Sequence, residues 1–194
     1  MATPINVFGI DQPNLRIPDD FELVAADIRT RNGEPVRVER YQHHGEVDWL
    51  GRHLTLVWGN DGRLLSYNDF SLISSAPLPT RETARDIAVE TLRSLDPLYA
   101  RGLHYMRTDA LSRSFVNTDR AEVQIPILWV KFAHNNGSYN WVSVGAGGEI
   151  VEFERESQWD YARARRATEE WNYDDWVLAH MGQGPQPAAP AALA

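Results

Sequence analysis

No cysteine occurs in the 194-residue chain, so disulfides, thiolate metal sites and cysteine nucleophiles are excluded on chemical grounds. Oxygen and imidazole chemistry remain. Lysine is nearly as scarce: Lys131 stands against eighteen arginines, a bias that GC-rich coding produces and that carries no functional weight here. No stretch approaches the roughly 18 apolar residues of a spanning helix, and Met1-Ala2-Thr3-Pro4-Ile5-Asn6 has no basic region followed by an apolar run. A soluble, cytoplasmic protein without a membrane partner is expected. Positive charge is also short. The net charge of −8 and pI near 5.2 repel phosphate backbones at long range, so no nucleic-acid partner is expected.

Catalytic motifs are missing as well. There is no Gly-x-Ser-x-Gly elbow, no Gly-x-Gly-x-x-Gly and no P-loop. Gly145-Ala146-Gly147-Gly148 has the composition of a phosphate cradle, but a strand follows it instead of a helix N-terminus, and it reads as a hairpin turn. Asp174-Asp175 and Glu169-Glu170 read as helix-surface charge. His43, His44, His53 and His134 are the histidines with metal-ligand chemistry, yet their spacing matches no recognised site and solvated turns explain them. The expectation is therefore no catalytic residue, no metal and no cofactor.

What is present suffices for a core, since 43% of the residues are hydrophobic. Residues 1–20, with Pro4, Gly9, Pro13 and Pro18, read as an irregular arm. Residues 21–76 read as a first antiparallel unit. Phe21 to Ile28 leans to strand, Asn32-Gly33 signals a hairpin turn, and Val36 to Tyr41 alternates as a half-exposed strand. Leu54, Leu56 and Trp58 share one strand face, and Leu65 and Tyr67 after Asn60-Asp61-Gly62 join it. Residues 77–156 read as a helix plus a meander. Thr80 is a hydroxyl N-cap with Glu82 in the first turn, Ala84, Ile87, Ala88, Thr91, Leu92 and Leu95 form an apolar stripe, and Asp96-Pro97 ends the helix. Strands follow at 104–108, 114–116, 123–132, 139–144 and 149–154, with Pro126 marking a bulge or an edge position. In residues 157–181 the alanine- and arginine-rich run from Trp159 to Trp171 favours helix, with a short second helix over 174–181. Residues 182–194 have nothing to bury and read as a disordered tail.

Superposing Gly62 on Gly148 places Leu56, Trp58, Leu65 and Tyr67 on Val142, Val144, Val151 and Phe153, and Tyr41-Gln42-His43 then matches Phe132-Ala133-His134. A duplication and the inherent likeness of alternating hairpins explain this equally well. Three stretches also resemble the PepSY group of domains: Pro79-Thr80-Arg81-Glu82-Thr83-Ala84, Trp141-Val142-Ser143-Val144 and Gly147-Gly148-Glu149-Ile150-Val151. The resemblance covers residues 80–154, about 75 of the 194. The family usually carries Asp where this chain has Gly145-Ala146, and most members are exported, for which this chain shows no signal. The resemblance implies a small non-enzymatic module that binds or restrains other proteins, and it transfers no catalytic residue. The expected fold class is α+β, an antiparallel sheet packed by an amphipathic helix, PepSY-like or cystatin-like, with duplication left open and a C-terminal helix.

Two functional readings follow. In the first, the chain is a non-enzymatic interaction or regulatory module whose partner is another protein or a second copy of itself, bound through Trp159, Tyr161, Arg163, Arg166, Trp171 and Trp176; docking of these rings on the chain's own sheet is the plainer explanation. In the second, a curved, cone-shaped sheet leaves an apolar pocket for a small molecule or substrate, lined by His104, Tyr105, Trp129 and Trp141.

Overall fold

The computed structural model describes residues 2–43 and 45–194; of the histidines considered as ligands, His44 lies outside them. In place of an irregular arm, the chain opens with a hairpin of β1 (Thr3–Val7) and β2 (Ile10–Ile17). Its prolines are accommodated because a two-stranded hairpin leaves many N–H groups outside the ladder. Pro13 in particular falls where the register jumps from Ile5–Gln12 to Pro4–Arg16. Ile5, Val7 and Leu15 from this hairpin are buried in the main core.

Among the described residues, eight strands form one antiparallel sheet. They are β3 (Glu22–Arg31), β4 (Glu34–Gln42), β5 (His53–Gly59), β6 (Leu64–Phe70), β7 (Leu103–Val116), β8 (Glu122–His134), β9 (Tyr139–Val144) and β10 (Ile150–Ser157). The separate strands expected at 104–108 and 114–116 are parts of the continuous β7. The sheet order is β3-β4-β5-β6-β10-β9-β8-β7, two four-stranded meanders that meet at their last strands. The junction is symmetric: Tyr67 pairs with Phe153, Ser66 with Glu154, and Asn68 with Glu152. Tyr67 and Phe153 are the residues that coincide when Gly62 is laid on Gly148. Pro126 pairs with Ser112 without a break in register, beyond the point where β9 stops at Leu128–Val144. It occupies a local edge, and no bulge is needed.

The helix α1 (Arg81–Leu95) crosses the first face of the sheet. The Thr80 hydroxyl accepts the Thr83 N–H at 3.1 Å, as an N-cap should. Ala84, Ala88, Leu92 and Leu95 join Leu56, Tyr67, Val130, Val142, Val144 and Phe153 in the core. Asp96 then caps the short α2 (Pro97–Ala100) by accepting the Tyr99 N–H at 2.9 Å. One expectation about this face is corrected. Leu65 and Val151 do not share it with Leu56 and Val142, because each is the extra residue of a β-bulge, between Val57 and Trp58 partners in one hairpin and between Ile150 and Glu152 in the other. The bulge turns both side chains to the second face, where Leu65 packs on Val36 and Val57, and Val151 on Phe70 and Ile127. Leu64 and Ile150 take their places against the helix.

The second face is covered by the C-terminal segment, and here the helix expected from Trp159 to Trp171 does not form. The chain makes β11 (Trp159–Asp160), a turn, and β12 (Arg165–Arg166), with Ala164 at φ 52°. Helix propensity is a weak prior, and fixed polar partners outweigh it. The Arg166 guanidinium is clamped on Glu154, and the Thr168 hydroxyl donates to Asn32 Oδ1 at 2.6 Å while accepting the Gln158 N–H. The second expected helix is present as α3 (Asp174–His180). Residues 182–194, read from composition as a tail with nothing to bury, run back along the same segment. Ala192 is buried beside Trp176 and Val177 and donates its N–H to Glu170 at 2.8 Å.

Two fully buried carboxylates on β10 fasten this face. Glu154 receives Arg31 Nη2 at 3.0 Å, Asn172 Nδ2 at 3.1 Å and a two-pronged contact from Arg166. Glu152 receives Arg113 Nε at 2.7 Å, the Tyr173 hydroxyl at 2.8 Å and the Ser143 hydroxyl. Arg31 reaches Glu154 although β4, β5 and β6 lie between their strands in the sheet order, so the β3–β4 hairpin curls over the second face. Removing one member of such a pair strands the others as buried charges. Glu154→Ala is expected to cost about 3–5 kcal/mol in urea unfolding, whereas Asp27→Ala, in an exposed pair with Arg29, should cost less than about 1 kcal/mol. Equal effects would rule out the clamp as a main support.

Asp69, near the end of β6, is buried and accepts the Ser71 hydroxyl at 2.5 Å and its N–H at 3.1 Å. Burial pushes its carboxyl from 3.8 up to about 6, against those two hydrogen bonds. The native state therefore binds this proton more tightly than the unfolded chain. Its stabilising contribution is full below about pH 4 and is lost as pH rises through about 6, a change on the order of 2–3 kcal/mol. Asp69→Asn is expected to gain stability relative to the parent between pH 4 and 6.5 in parallel urea titrations; a pH-independent difference would show that Asp69 does not titrate there.

Candidate ligand-binding cleft

The strand pairing lays the second face out in rows. Arg107, Lys131, Trp141 and Glu154 stand side by side across β7, β8, β9 and β10, and Asp109, Trp129, Ser143 and Glu152 form the next row. On the β10 side the C-terminal segment covers these rows. On the β7–β9 side it stands off, leaving a cleft of about 600 Å³. Trp129, Lys131 and Trp141 line it from the sheet, and Trp159, Arg166 and Tyr173 from the C-terminal segment. The volume suits a small ligand.

Aromatic and cationic side chains alternate around the cleft. The Trp129 and Trp141 rings are 5.6 Å apart and tilted. Lys131 Nζ lies 4.0 Å from the Tyr139 ring centroid and 5.3 Å from that of Trp129, and the Arg166 guanidinium stacks 5.4 Å from Trp141. The arginines are neutralised by carboxylates: Arg113 by Glu152 at 2.7 Å, Arg107 by Asp109 at 2.6 Å, and Arg166 by Glu154. Lys131 has no carboxylate within salt-bridge distance among the described residues. Burial first, and the Arg107 guanidinium second, hold its amine below the usual lysine value, while Asp109 acts the other way. The adjoining π faces also favour the charged form.

Hydrogen-bond donors are in surplus here. The indole N–H groups of Trp129 and Trp141 are both buried without an acceptor among the described residues, as is Arg166 Nε. Trp141 itself is 7% exposed. Each such donor forfeits about 1–3 kcal/mol unless something accepts from it. Of the acidic residues of the cleft wall, Asp174 and Glu170 are already engaged, while Asp175 is exposed and accepts the Trp176 N–H at 2.9 Å. Asp174 accepts Arg40 Nη1 at 2.5 Å and the Leu50 N–H at 2.6 Å. Burial raises its carboxyl, but His53, Arg40 and Leu50 together outweigh that and keep it below its ordinary value. Glu170 accepts the Ala192 N–H, and burial raises its carboxyl. Burial, with Glu152 second, pushes the Tyr173 phenol well up, so it serves as a neutral donor to that carboxylate.

Of the expected pocket residues, Trp129 and Trp141 line the cleft. His104 and Tyr105 do not; both are exposed on β7, His104 bonded to Asn135 and Tyr105 to Thr108. The residues expected to hold a partner are dispersed. Trp159 lines the cleft, Arg166 is buried on Glu154, and Trp176 is 1% exposed. Trp171 donates to the Thr30 carbonyl at 2.7 Å and meets Trp176 edge-on. Tyr161 and Arg163 are exposed, the Tyr161 hydroxyl lying 2.8 Å from that of Tyr139. The histidines are apart: His43 lies against the Asp20 carbonyl, His53 against that of Gly51, and His134 stacks on Tyr99 at 4.0 Å. Among the described residues, no cluster of three His, Asp or Glu side chains has the geometry of a metal site.

Sequence reasoning missed Lys131, Arg113 and Tyr173. The signal for Lys131 was its uniqueness, together with its place two residues from Trp129 on the same strand face. Arg113 and Tyr173 come from distant segments and carry no local pattern. No protein-family model matches the chain, and comparison with curated proteins and with solved structures finds none similar to it.

Proposed function

We propose that the protein binds a small planar organic anion in the cleft between the β7–β9 side of its sheet and its C-terminal segment. The observation that carries this reading is an ammonium, Lys131, with no carboxylate partner among the described residues, beside the buried indole N–H donors of Trp129 and Trp141. A ring stacks on the indoles or on Tyr139, and the indole N–H groups, closed to solvent in the empty cleft, turn to donate to an oxygen of the ligand. The negative charge balances Lys131. The net charge of −8 disfavours anions at long range, so the cleft acts through contacts and not through steering.

Capture of another protein, or of a second copy, is the reading that this one displaces. Of the aromatic residues expected to mediate it, Trp176 and Trp171 are engaged within the chain and Tyr161 remains exposed. The same proposal takes the two meanders as copies of one unit, which the mutual pairing of Tyr67 with Phe153 and the matching bulges at Leu65 and Val151 support. The helix followed by a meander over residues 80–154 is compatible with the PepSY likeness.

Benzoate and 2-naphthoate are expected to quench tryptophan fluorescence saturably and to raise the melting temperature, with 2-naphthamide weaker. Trp129→Phe and Trp141→Phe keep a ring and remove a donor, and each should weaken binding by about tenfold, or about 1.4 kcal/mol. Failure of both acids to bind, or unchanged affinity in both variants, would overturn the proposal.

A further inference from the structure

We propose that Lys131 is a carbonyl-capturing amine, whose Nζ forms an imine with an aldehyde or ketone on the anionic ligand of the cleft. The inference rests on the reading of the cleft as a ligand site and specifies the ligand's reactive group. Four observations converge on it. Lys131 is the chain's one lysine, set where the neighbouring cations Arg107, Arg113 and Arg166 are arginines. A guanidinium keeps its proton under all physiological conditions and cannot act as this nucleophile, whereas an amine can.

Second, each of those arginines is tied to a carboxylate, at Asp109, Glu152 and Glu154 respectively, and among the described residues Lys131 is not. An amine committed to a salt bridge would have to break it before reacting. Third, the amine lies against the π faces of Tyr139 and Trp129, and these same surfaces are where a conjugated carbonyl compound would stack. Fourth, Lys131 lies within β8, paired to Arg107 on one side and Trp141 on the other, so the stem is anchored on a rigid element and the reacting atom is positioned.

The chemistry closes without a co-reactant. The Nζ lone pair forms a C–N bond to the carbonyl carbon as the C=O π pair moves to oxygen. Proton transfer from nitrogen to oxygen gives a carbinolamine, and loss of water then gives the C=N bond. Lys131 is half-buried, so water and protons exchange with solvent along its exposed side. The protonated imine keeps the positive charge that the ligand's carboxylate requires.

The full-length protein is incubated with 4-formylbenzoate at pH 7, reduced with cyanoborohydride, and mapped by peptide mass spectrometry. Benzoate serves as the non-reactive reference ligand, and Nα-acetyl-lysine amide as the reference amine. The expected result is a reduced adduct on Lys131 that forms at least about tenfold faster than on the reference amine, as activation by desolvation implies. Benzoate should compete with it. Lys131→Arg should lose the adduct while unfolding in urea with the same cooperative transition as the parent, which shows that the variant folds. Saturable quenching by 4-formylbenzoate with no adduct on Lys131, with adduct only at the amino terminus, or with labelling no faster than the reference amine, overturns the inference and leaves the cleft reading standing. Absence of binding by both compounds overturns the two together.

Discussion

Glu152 and Glu154 are fully buried on the central strand β10, and the rest of the second face is arranged to make that tolerable. A carboxylate out of water costs several kcal/mol unless hydrogen bonds and opposite charge replace its hydration. The replacements come from far apart in sequence: Arg31 at the end of β3, Arg113 on β7, and Arg166, Asn172 and Tyr173 from the C-terminal segment. Each tie fixes a different piece of chain on the sheet. The interaction is thus less a source of net stability than a constraint on topology, because an alternative packing would leave a charge unpaired.

The two faces of the sheet obey different rules. The first is apolar and closes by shape, with α1 and the β1–β2 hairpin filling it. The second is striped with polar rows and closes by partner. This division follows from the paired bulges. By turning Leu65 and Val151 to the second face and restoring alternation after them, they set Ser66 and Glu152 in equivalent places on β6 and β10. Ser66 then pairs with Glu154 across the junction, and Asn68 with Glu152. The polar centre is a consequence of the symmetric junction, and the C-terminal segment is what such a centre needs as a cover.

Much of the first face was legible in the sequence, since local signals specify it. Asn32-Gly33 turns with both residues at positive φ, Thr80 caps its helix, and alternation marks Leu54 to Trp58 and Tyr139 to Val144. The bulges were not legible, because an extra residue leaves no trace in a two-residue period until the partner strand is known. The C-terminal segment misled for a related reason. Its alanines and arginines satisfy local helix preference, yet Arg166 is decided by Glu154 and Thr168 by Asn32. Of the cleft, Trp129 and Trp141 were foreseeable as inward-facing aromatics on neighbouring strands. His104 and Tyr105 were misjudged because Tyr105 packs on Phe132 on the helix side of the sheet, before a register shift in β7, and His104 sits at the start of the strand against Asn135, and Lys131 was discounted as compositional bias.

The cleft follows from where counter-charges are available. Glu152 and Glu154 draw Arg113 and Arg166 toward β10, and the segment bearing Arg166 settles there. Farther along the Glu154 row, Trp141, Lys131 and Arg107 offer that segment no further carboxylate to bind. Of the acids that the cover brings to the cleft, Glu170 and Asp174 are held by Ala192 and by Arg40, and Asp175 is exposed. Sealing Lys131 beneath apolar chain would bury a charge without a partner, at a cost that dispersion contacts from a few alanines and prolines do not offset; the indole N–H groups of Trp129 and Trp141 are closed to solvent already. Under the proposed function, an anion from outside would supply the charge that Lys131 lacks, and this would be the physical reason for a cleft to persist in this corner of a sheet that is otherwise covered.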